Sequence, residues 1–305
     1  MIVTNIKEFD CCNLEKELVA AGEKRYNDKM SDVCRKIIES KSKIIFISGP
    51  SCSGKTTTTN ILSEACNKSG KEVKEISLDD FYLDRDHLAE IAAKNNKEVD
   101  IESAEAIDLA YLKECVDRLF AGEVALLPTF DFTTAKRAGY TPFKMSENTV
   151  LMFEGIQAIY PEVLCMFSGR EYVSIYISVA SSITVNGEVF TPEDIRLTRR
   201  LVRDERTRNA SAVRTFELWD GVVANERKNI VPNAVNSDIV INSAFDFELY
   251  MIKDRLQKVL SKVPCDSIFY AKANQLMDKF KNIPSITDRY LSDDSLYREF
   301  IGKRS

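Results

Sequence analysis

Apolar residues in this chain fall into two kinds of spacing. Over residues 13–40, Leu14, Leu18, Val33, Ile37 and Ile38 punctuate a charged background at helical intervals, which predicts an amphipathic helix. From Lys43 the spacing changes. Ile44-Ile45-Phe46-Ile47 is a short unbroken apolar run followed by turn residues, the pattern of a parallel strand covered on both faces. Similar runs occur at 72–78, 123–127, 149–153, 172–179 and 238–241, and helical patterns fill 54–68, 104–121, 192–208 and 210–229. Strands alternating with helices predict βαβ units, hence an α/β fold with a mainly parallel sheet flanked by helices. The tail from 246 is helical again, with breaks near Pro264 and Pro284. No linker, repeat or low-complexity tract divides the chain. The expected organisation is a helical N-terminal extension over 1–42, one α/β domain over 43–262, and a helical C-terminal extension over 263–305 packed on that domain.

Composition excludes several classes without choosing one. The 305 residues are 44% hydrophobic and 29% charged, close to the ordinary globular values of about 45–50% and about 25%. A charge of −5, from 42 Lys+Arg and 47 Asp+Glu, gives no bulk attraction to nucleic acid or anionic membrane, so neither is an expected partner. Eight cysteines without a C-x-x-C pair, together with a single histidine, His87, cannot build the usual Cys/His zinc sites. Free thiols suit a reducing compartment, and neither a signal-peptide pattern nor an apolar run of about 20 residues is visible, so the expected location is cytoplasmic. Self-association is left open.

The chemistry begins directly after the first strand. Gly49-Pro50-Ser51-Cys52-Ser53-Gly54-Lys55-Thr56 satisfies G-x-x-x-x-G-K-[ST] between an apolar strand and the helical TTTTNILSEA. In such a loop glycines permit a tight turn whose backbone N–H groups face phosphate oxygens. The lysine neutralises β/γ charge and the threonine hydroxyl can bind magnesium. Gly49, Ser51, Cys52, Ser53, Gly54, Lys55, Thr56 and Thr57 are therefore the candidate nucleotide-binding residues. Cys52 reads as a small filler, with a thiol activated by the helix N-terminus as the alternative. A GTPase should add an N-K-x-D motif, and both Asn67-Lys68 and Asn96-Lys97 lack its aspartate.

Two strand ends carry acids. The second strand runs into Asp79-Asp80-Phe81-Tyr82, and Val150-Leu151-Met152-Phe153 runs into Glu154-Gly155. Carboxylates at the C-terminal ends of parallel strands face the same crevice as the phosphate loop, where they can accept a proton from a hydroxyl or hold a divalent cation. Further on, DIRLTRRLVRDERTR (194–208) puts Arg196, Arg199, Arg200, Arg203 and Arg206 within an arc of roughly 120° on one helix face. Asp204 and Glu205 are too few to pair them all. The one-sided face suits a lid over transferring phosphates better than a solvated surface.

These pieces resemble the uridine kinase/phosphoribulokinase family of P-loop kinases. They are most similar to bacterial uridine-kinase-like proteins that often carry an N-terminal domain shared with threonyl-tRNA synthetases. The matching segments are GPSCSGKTT, SLDDFYLDRD, ESAEAIDL, LPTFDF, LMFEGI, DIRLTRRLVRD, SDIVINSAFDFEL and YREFIG, across about residues 43–302. The extra N-terminal domain is not expected in the 48 residues before Gly49, which look helical. The resemblance implies a P-loop fold with an arginine-rich lid, ATP or GTP as donor, Mg2+ as cofactor, and a nucleoside-like acceptor phosphorylated on a hydroxyl, the 5′-OH in the family. It implies Asp79 as general base, with Lys55 and Arg203 completing the catalytic set, and Thr56, Asp79 and Glu154 around the metal. Arg203 and Arg206 would meet the donor phosphates. Asp79, Tyr82, Glu105, Phe130, Arg137 and Arg200 would line the acceptor site.

Two departures bear on the acceptor. Where the family has H-P-D-A-F-D, this chain has Ser103-Ala104-Glu105-Ala106-Ile107-Asp108, so Glu105 is aligned with the first aspartate. Where nucleoside kinases read a pyrimidine with the Tyr and His of Y-D-F-x-x-H, this chain has Phe130-Asp131-Phe132-Thr133-Thr134-Ala135. A site that loses base-directed hydrogen bonds loses discrimination. The expected function is thus a uridine-kinase-like phosphotransferase whose preference for uridine is in doubt. A sugar or sugar-phosphate kinase, or a nucleotide-binding regulatory or RNA-associated protein, stands as the alternative.

Overall fold

A computed structural model describes residues 2–3, 11–94 and 100–304; Asn96-Lys97 and the side chains of residues 11–14, among them Leu14, lie outside the described part. In chain order the strands are β1 (Ile2–Val3), β2 (Ile44–Ser48), β3 (Glu72–Ser77), β4 (Ala125–Asp131), β5 (Lys136–Phe143), β6 (Thr149–Glu154), β7 (Val173–Ser178), β8 (Ile183–Val185), β9 (Glu188–Phe190) and β10 (Ile239–Asn242). The helices are α1 (Cys11–Glu39), α2 (Lys55–Lys68), α3 (Arg85–Lys94), α4 (Leu109–Phe120), α5 (Pro161–Leu164), α6 (Pro192–Arg208), α7 (Ala212–Asn225), α8 (Val231–Ala234), α9 (Glu248–Leu260), α10 (Tyr270–Phe280) and α11 (Arg298–Ile301).

Five strands form one fully parallel sheet in the order β10-β7-β2-β6-β3. The unbroken apolar run of β2 follows from its central place. Successive side chains point to opposite faces, and both faces are covered. Ile45 and Ile47 enter the core shared with α1, α2, α6 and α9, whereas Ile44 and Phe46 enter the core under α4, with Phe153 and Phe167 around Phe46. Truncating the fully buried Phe46 to alanine would cost about 3–5 kcal/mol. The chain leaves β2 for β3 on one side and reaches β7 and β10 on the other. The C-terminal end of β2 is therefore the point where strand order reverses, and a crevice opens there.

The run expected at 123–127 departs from this scheme. It begins at Ala125 and lies outside the central sheet, paired antiparallel with β5. Its burial alternates, Ala125 and Leu127 inside and Leu126 half exposed, as a strand covered on one face requires. At the far end of this hairpin Ala135 takes a left-handed conformation (φ 53°), and its carbonyl accepts the Arg85 N–H. The terminal helices return to the crevice. On α1, Tyr26 meets Thr58 of α2 at 3.1 Å, and Arg25 pairs with Asp246 and donates to the Ala244 carbonyl beyond β10. Breaks near Pro264 and Pro284 separate α9, α10 and the segment that leads to α11.

Candidate active site

The loop 49–56 joins the C-terminal end of β2 to α2, and its glycines are required by space. A Cβ on Gly49 would lie 2.1 Å from the Ile177 carbonyl oxygen, and one on Gly54 (φ +94°) would lie 2.5 Å from Leu296. Cys52 also adopts a left-handed conformation (φ 60°), and the Ser53 N–H returns to Pro50 O at 3.3 Å. The turn thus points successive N–H groups inward and leads into a helix whose N-cap, Gly54, carries no side chain and whose first turn holds no acid. Such a turn is an anion cradle. The buried Ser53 hydroxyl inside it has no protein partner.

Asp79 and Glu154 arrive from the neighbouring strands. β3 and β6 run in register with Ser77 opposite Glu154, and Glu154 also faces Ile47 of β2. One tight turn beyond Ser77, Asp79 therefore comes to the same rim. Burial raises the Asp79 carboxyl above its ordinary value, opposed by the Lys55 charge and a hydrogen bond from Tyr82. Burial likewise raises Glu154, opposed by Lys55 and reinforced by the charges of Asp79 and Glu299. One lysine thus serves two carboxylates that also feel each other. With the Thr56 hydroxyl at the start of α2, this is the donor set that a hard divalent cation takes alongside phosphate oxygens.

A cavity of about 1230 Å³ opens beside this rim, lined among others by Glu102, Glu105, Tyr160, Arg200, Asn225 and Lys228. Glu102 accepts a hydrogen bond from the Asn225 amide, and its carboxyl is raised by burial and by Asp100, against Asn225, Arg200 and Lys55. Lys228 pairs with Asp100 at 3.3 Å across the mouth.

The family model described as "Phosphoribulokinase / Uridine kinase family" matches residues 44–248. The chain belongs to this family. The uridine kinase of Staphylococcus haemolyticus (strain JCSC1435) is 30% identical over 199 residues, 65% of this chain and 86% of that protein. The uridine kinase of Lactobacillus helveticus (strain DPC 4571) is 24% identical over 225 residues, 73% of this chain and 97% of that one. Among solved structures, D-glycerate 3-kinase from Cryptococcus neoformans var. grubii aligns with a TM-score of 0.48 at 12% identity, over 78% of this chain and 98% of that chain. The protein is a kinase of the phosphoribulokinase/uridine kinase family, and among its described residues no helix is long and apolar enough to cross a membrane.

In this kinase α6 lies across the phosphate loop, started by a capping box between Thr191 and Asp194. Its arginine face is buried over Arg196, Arg199 and Arg200 and opens to solvent at Arg206. Arg196 is 1% and Arg199 0% exposed. Arg196 donates to the Ser51 carbonyl at 3.3 Å and pairs with Glu226, and Arg199 donates to the Cys52 carbonyl at 3.2 Å and forks onto Glu248 at 2.6 and 3.0 Å. Arg200 reaches the Ser51 hydroxyl at 3.4 Å and pairs with Asp204 at 3.2 Å. Arg203 forks onto one oxygen of Asp204 at 2.9 and 2.7 Å, and Arg206 donates to the Glu299 carbonyl at 2.9 Å. Arg196 and Arg199, to which sequence reasoning gave no separate role, thus hold the backbone of the loop.

The remaining candidates divide. Tyr82 stands between Asp79 and the hairpin, its hydroxyl accepting from Gln157 at 3.2 Å and its ring edge-on to Phe130 at 5.8 Å. Asp80 and Asp84, beside Asp79 in sequence, accept the backbone N–H groups of Phe130 and Arg137 at 3.0 and 2.9 Å and so tie the hairpin to the rim. Arg137 is turned into the hairpin's own packing, paired with Asp108 at 3.2 Å and lying over the rings of Tyr111 and Tyr140. Glu105 is exposed at the cavity wall, whereas Glu102, three residues earlier, is the half-buried acid bonded to Asn225. Glu102 and Asn225 carried no separating signal in the sequence. Cys52 is buried, and burial raises its thiol, so the helix N-terminus does not activate it.

Proposed function

We propose that this kinase transfers the γ-phosphoryl group of ATP or GTP to a hydroxyl of a nucleoside-like, uncharged acceptor seated in the Glu102–Asn225 cavity. The observation that carries the reading is Arg200, which lines the cavity and reaches the Ser51 hydroxyl of the phosphate loop at 3.4 Å, so that an acceptor-sized cavity adjoins the cradle. Glycine-loop N–H groups, Ser53, Thr56 and Thr57 bind the donor phosphates, with Lys55 on the β/γ oxygens and Arg203 and Arg206 reaching them from α6. Mg2+, held by Thr56, Asp79 and Glu154, would neutralise donor charge. Asp79 accepts the hydroxyl proton as the acceptor oxygen bonds to the γ-phosphorus and the bond to the bridging oxygen breaks, releasing the nucleoside diphosphate. A carboxyl raised by burial is better matched to that task than an exposed one.

On the acceptor side, Glu102 and Asn225 offer an acceptor and a donor to vicinal hydroxyls. Tyr82 and Phe130 offer ring faces to a base without the polar pair that would select uracil. Glu105 and Arg200 complete the walls, and Arg137 supports the hairpin that carries Phe130. The carboxylates around the cavity disfavour a phosphorylated acceptor. A coupled assay of nucleoside-diphosphate release, with ATP and GTP against nucleosides, free sugars and sugar phosphates, tests the reading. Turnover on nucleosides with broad base tolerance is expected. Turnover confined to a sugar phosphate, or none with any acceptor despite ATP binding, would overturn it.

A further inference from the structure

A helix that binds phosphate must offer its first-turn N–H groups to the ligand. In this kinase one of them is already engaged by the protein. The Thr57 hydroxyl donates to Glu299 Oε2 at 2.7 Å, and the Thr57 backbone N–H points at the same oxygen at 3.4 Å. Glu299 is delivered by a C-terminal segment fastened along its length. Leu296 fills the space above Gly54, and Tyr297 donates to the Glu248 carbonyl at 2.9 Å. Phe300 lies under Arg199 at 4.5 Å, and the Glu299 carbonyl accepts from Arg206. Thr57 stands in the first turn of α2, directly after the phosphate loop, so its contact with Glu299 sets the carboxylate at the loop's exit.

Resting on the reading of the loop as a triphosphate site, we propose that Glu299 holds the place of a donor phosphate in the nucleotide-free kinase. Triphosphate binding then displaces its carboxylate from Thr57, making the segment 291–302 a clasp that opens with donor binding. A carboxylate and a phosphate compete for the same single N–H hydrogen and the same hydroxyl. Two anions at hydrogen-bond separation from one group also repel each other. Any ligand that must displace the carboxylate binds in proportion to the fraction of molecules in which Thr57 is free. The device tunes donor affinity without touching the acceptor site.

The test uses the full chain and two probes, ATP and inorganic tripolyphosphate, by calorimetry without acceptor. Glu299→Gln keeps the shape and removes the charge, and both probes should bind it about tenfold more tightly than wild type. Independently of any variant, hydrogen exchange over residues 291–302 of the wild-type protein should quicken when tripolyphosphate is added. Unchanged or weaker binding by Glu299→Gln, or a segment that becomes more protected with the probe, overturns the clasp and leaves the loop assignment standing. If neither protein binds either probe, the loop assignment itself falls and the clasp with it.

Discussion

Replacing Asp79 by asparagine separates the two things this carboxylate is asked to do. The substitution keeps the side chain's shape and a partner for Tyr82, but it removes the ability to accept a proton. A positioned general base contributes roughly 10²–10⁴ in rate, about 2.7–5.4 kcal/mol at about 1.36 kcal/mol per tenfold, so kcat should fall by that factor while ATP affinity changes little. Stability should move the other way. Burial lifts the folded-state Asp79 carboxyl above its value of 3.8, so between that value and the raised one the folded chain binds more protons than the unfolded chain. Stability contributed by this group is therefore lost as pH rises through that window, and at neutral pH the ionised carboxylate is a net cost. Asp79→Asn should consequently melt above wild type at pH 7–8, with the difference shrinking as pH approaches 3.8. Coupled turnover, calorimetric titration with ATP and thermal melts across pH read the three quantities separately. Turnover within tenfold of wild type would refute the base assignment. Loss of ATP affinity would show that Asp79 matters chiefly through the Mg2+ it is proposed to hold, and a lower melting temperature would refute the burial argument.

Three further outcomes follow from the same contacts. Glu248→Gln leaves the fully buried Arg199 without its counter-charge and should cost about 3–5 kcal/mol in denaturant unfolding; a loss under about 1 kcal/mol would show that the guanidinium reaches water. Glu102→Gln weakens a charge-assisted contact to the acceptor, worth about 1.5–3 kcal/mol, so the acceptor KM should rise at least tenfold with ATP affinity unchanged, and an unaltered KM would move the acceptor elsewhere. Mass spectrometry after brief iodoacetamide treatment should find Cys165 and Cys265 alkylated and Cys52 spared, because the first two are exposed while burial raises the Cys52 thiol; rapid labelling of Cys52 would contradict this.

The parallel sheet was legible because a strand covered on both faces has to be apolar nearly throughout: β2 carries that signature over Ile44–Ile47 and β6 over Val150–Phe153, and β7 interrupts it only at the buried Ser174 before its polar end at Ser178. The loop was legible because its backbone leaves no room at Gly49 and bends into left-handed conformations at Cys52 and Gly54, so its spacing is a steric statement as much as a motif. The acceptor side was not. Glu102 and Glu105 are the same residue type three positions apart, the first just before the one-turn 104–106 segment and the second inside it. Only the arrival of Asn225 from α7, more than a hundred residues later, distinguishes them. The acids of the DDFYLD stretch were similarly indistinct. Three aspartates lie within six residues, and two of them spend their oxygens on backbone N–H groups of the hairpin, contacts that depend on β4 and β5 folding back across the rim.

The arginine helix shows how a correct surface pattern can conceal its direction. Counting charges along 194–208 finds too few acids on the same helix, but pairing need not be local. Glu226 and Glu248 come from the elements that follow α7 and β10, and they take Arg196 and Arg199 out of solvent. A buried guanidinium with a single carboxylate partner has donors to spare. Here they go to the carbonyls of Ser51 and Cys52, the loop residues whose carbonyls face α6. Fixing those carbonyls fixes the peptide planes that aim the loop's N–H groups at phosphate. The inward arginines thus set the shape of the cradle, while the half-buried Arg203 and the exposed Arg206, one and two turns further along, are the two that the proposed reading assigns to donor charge.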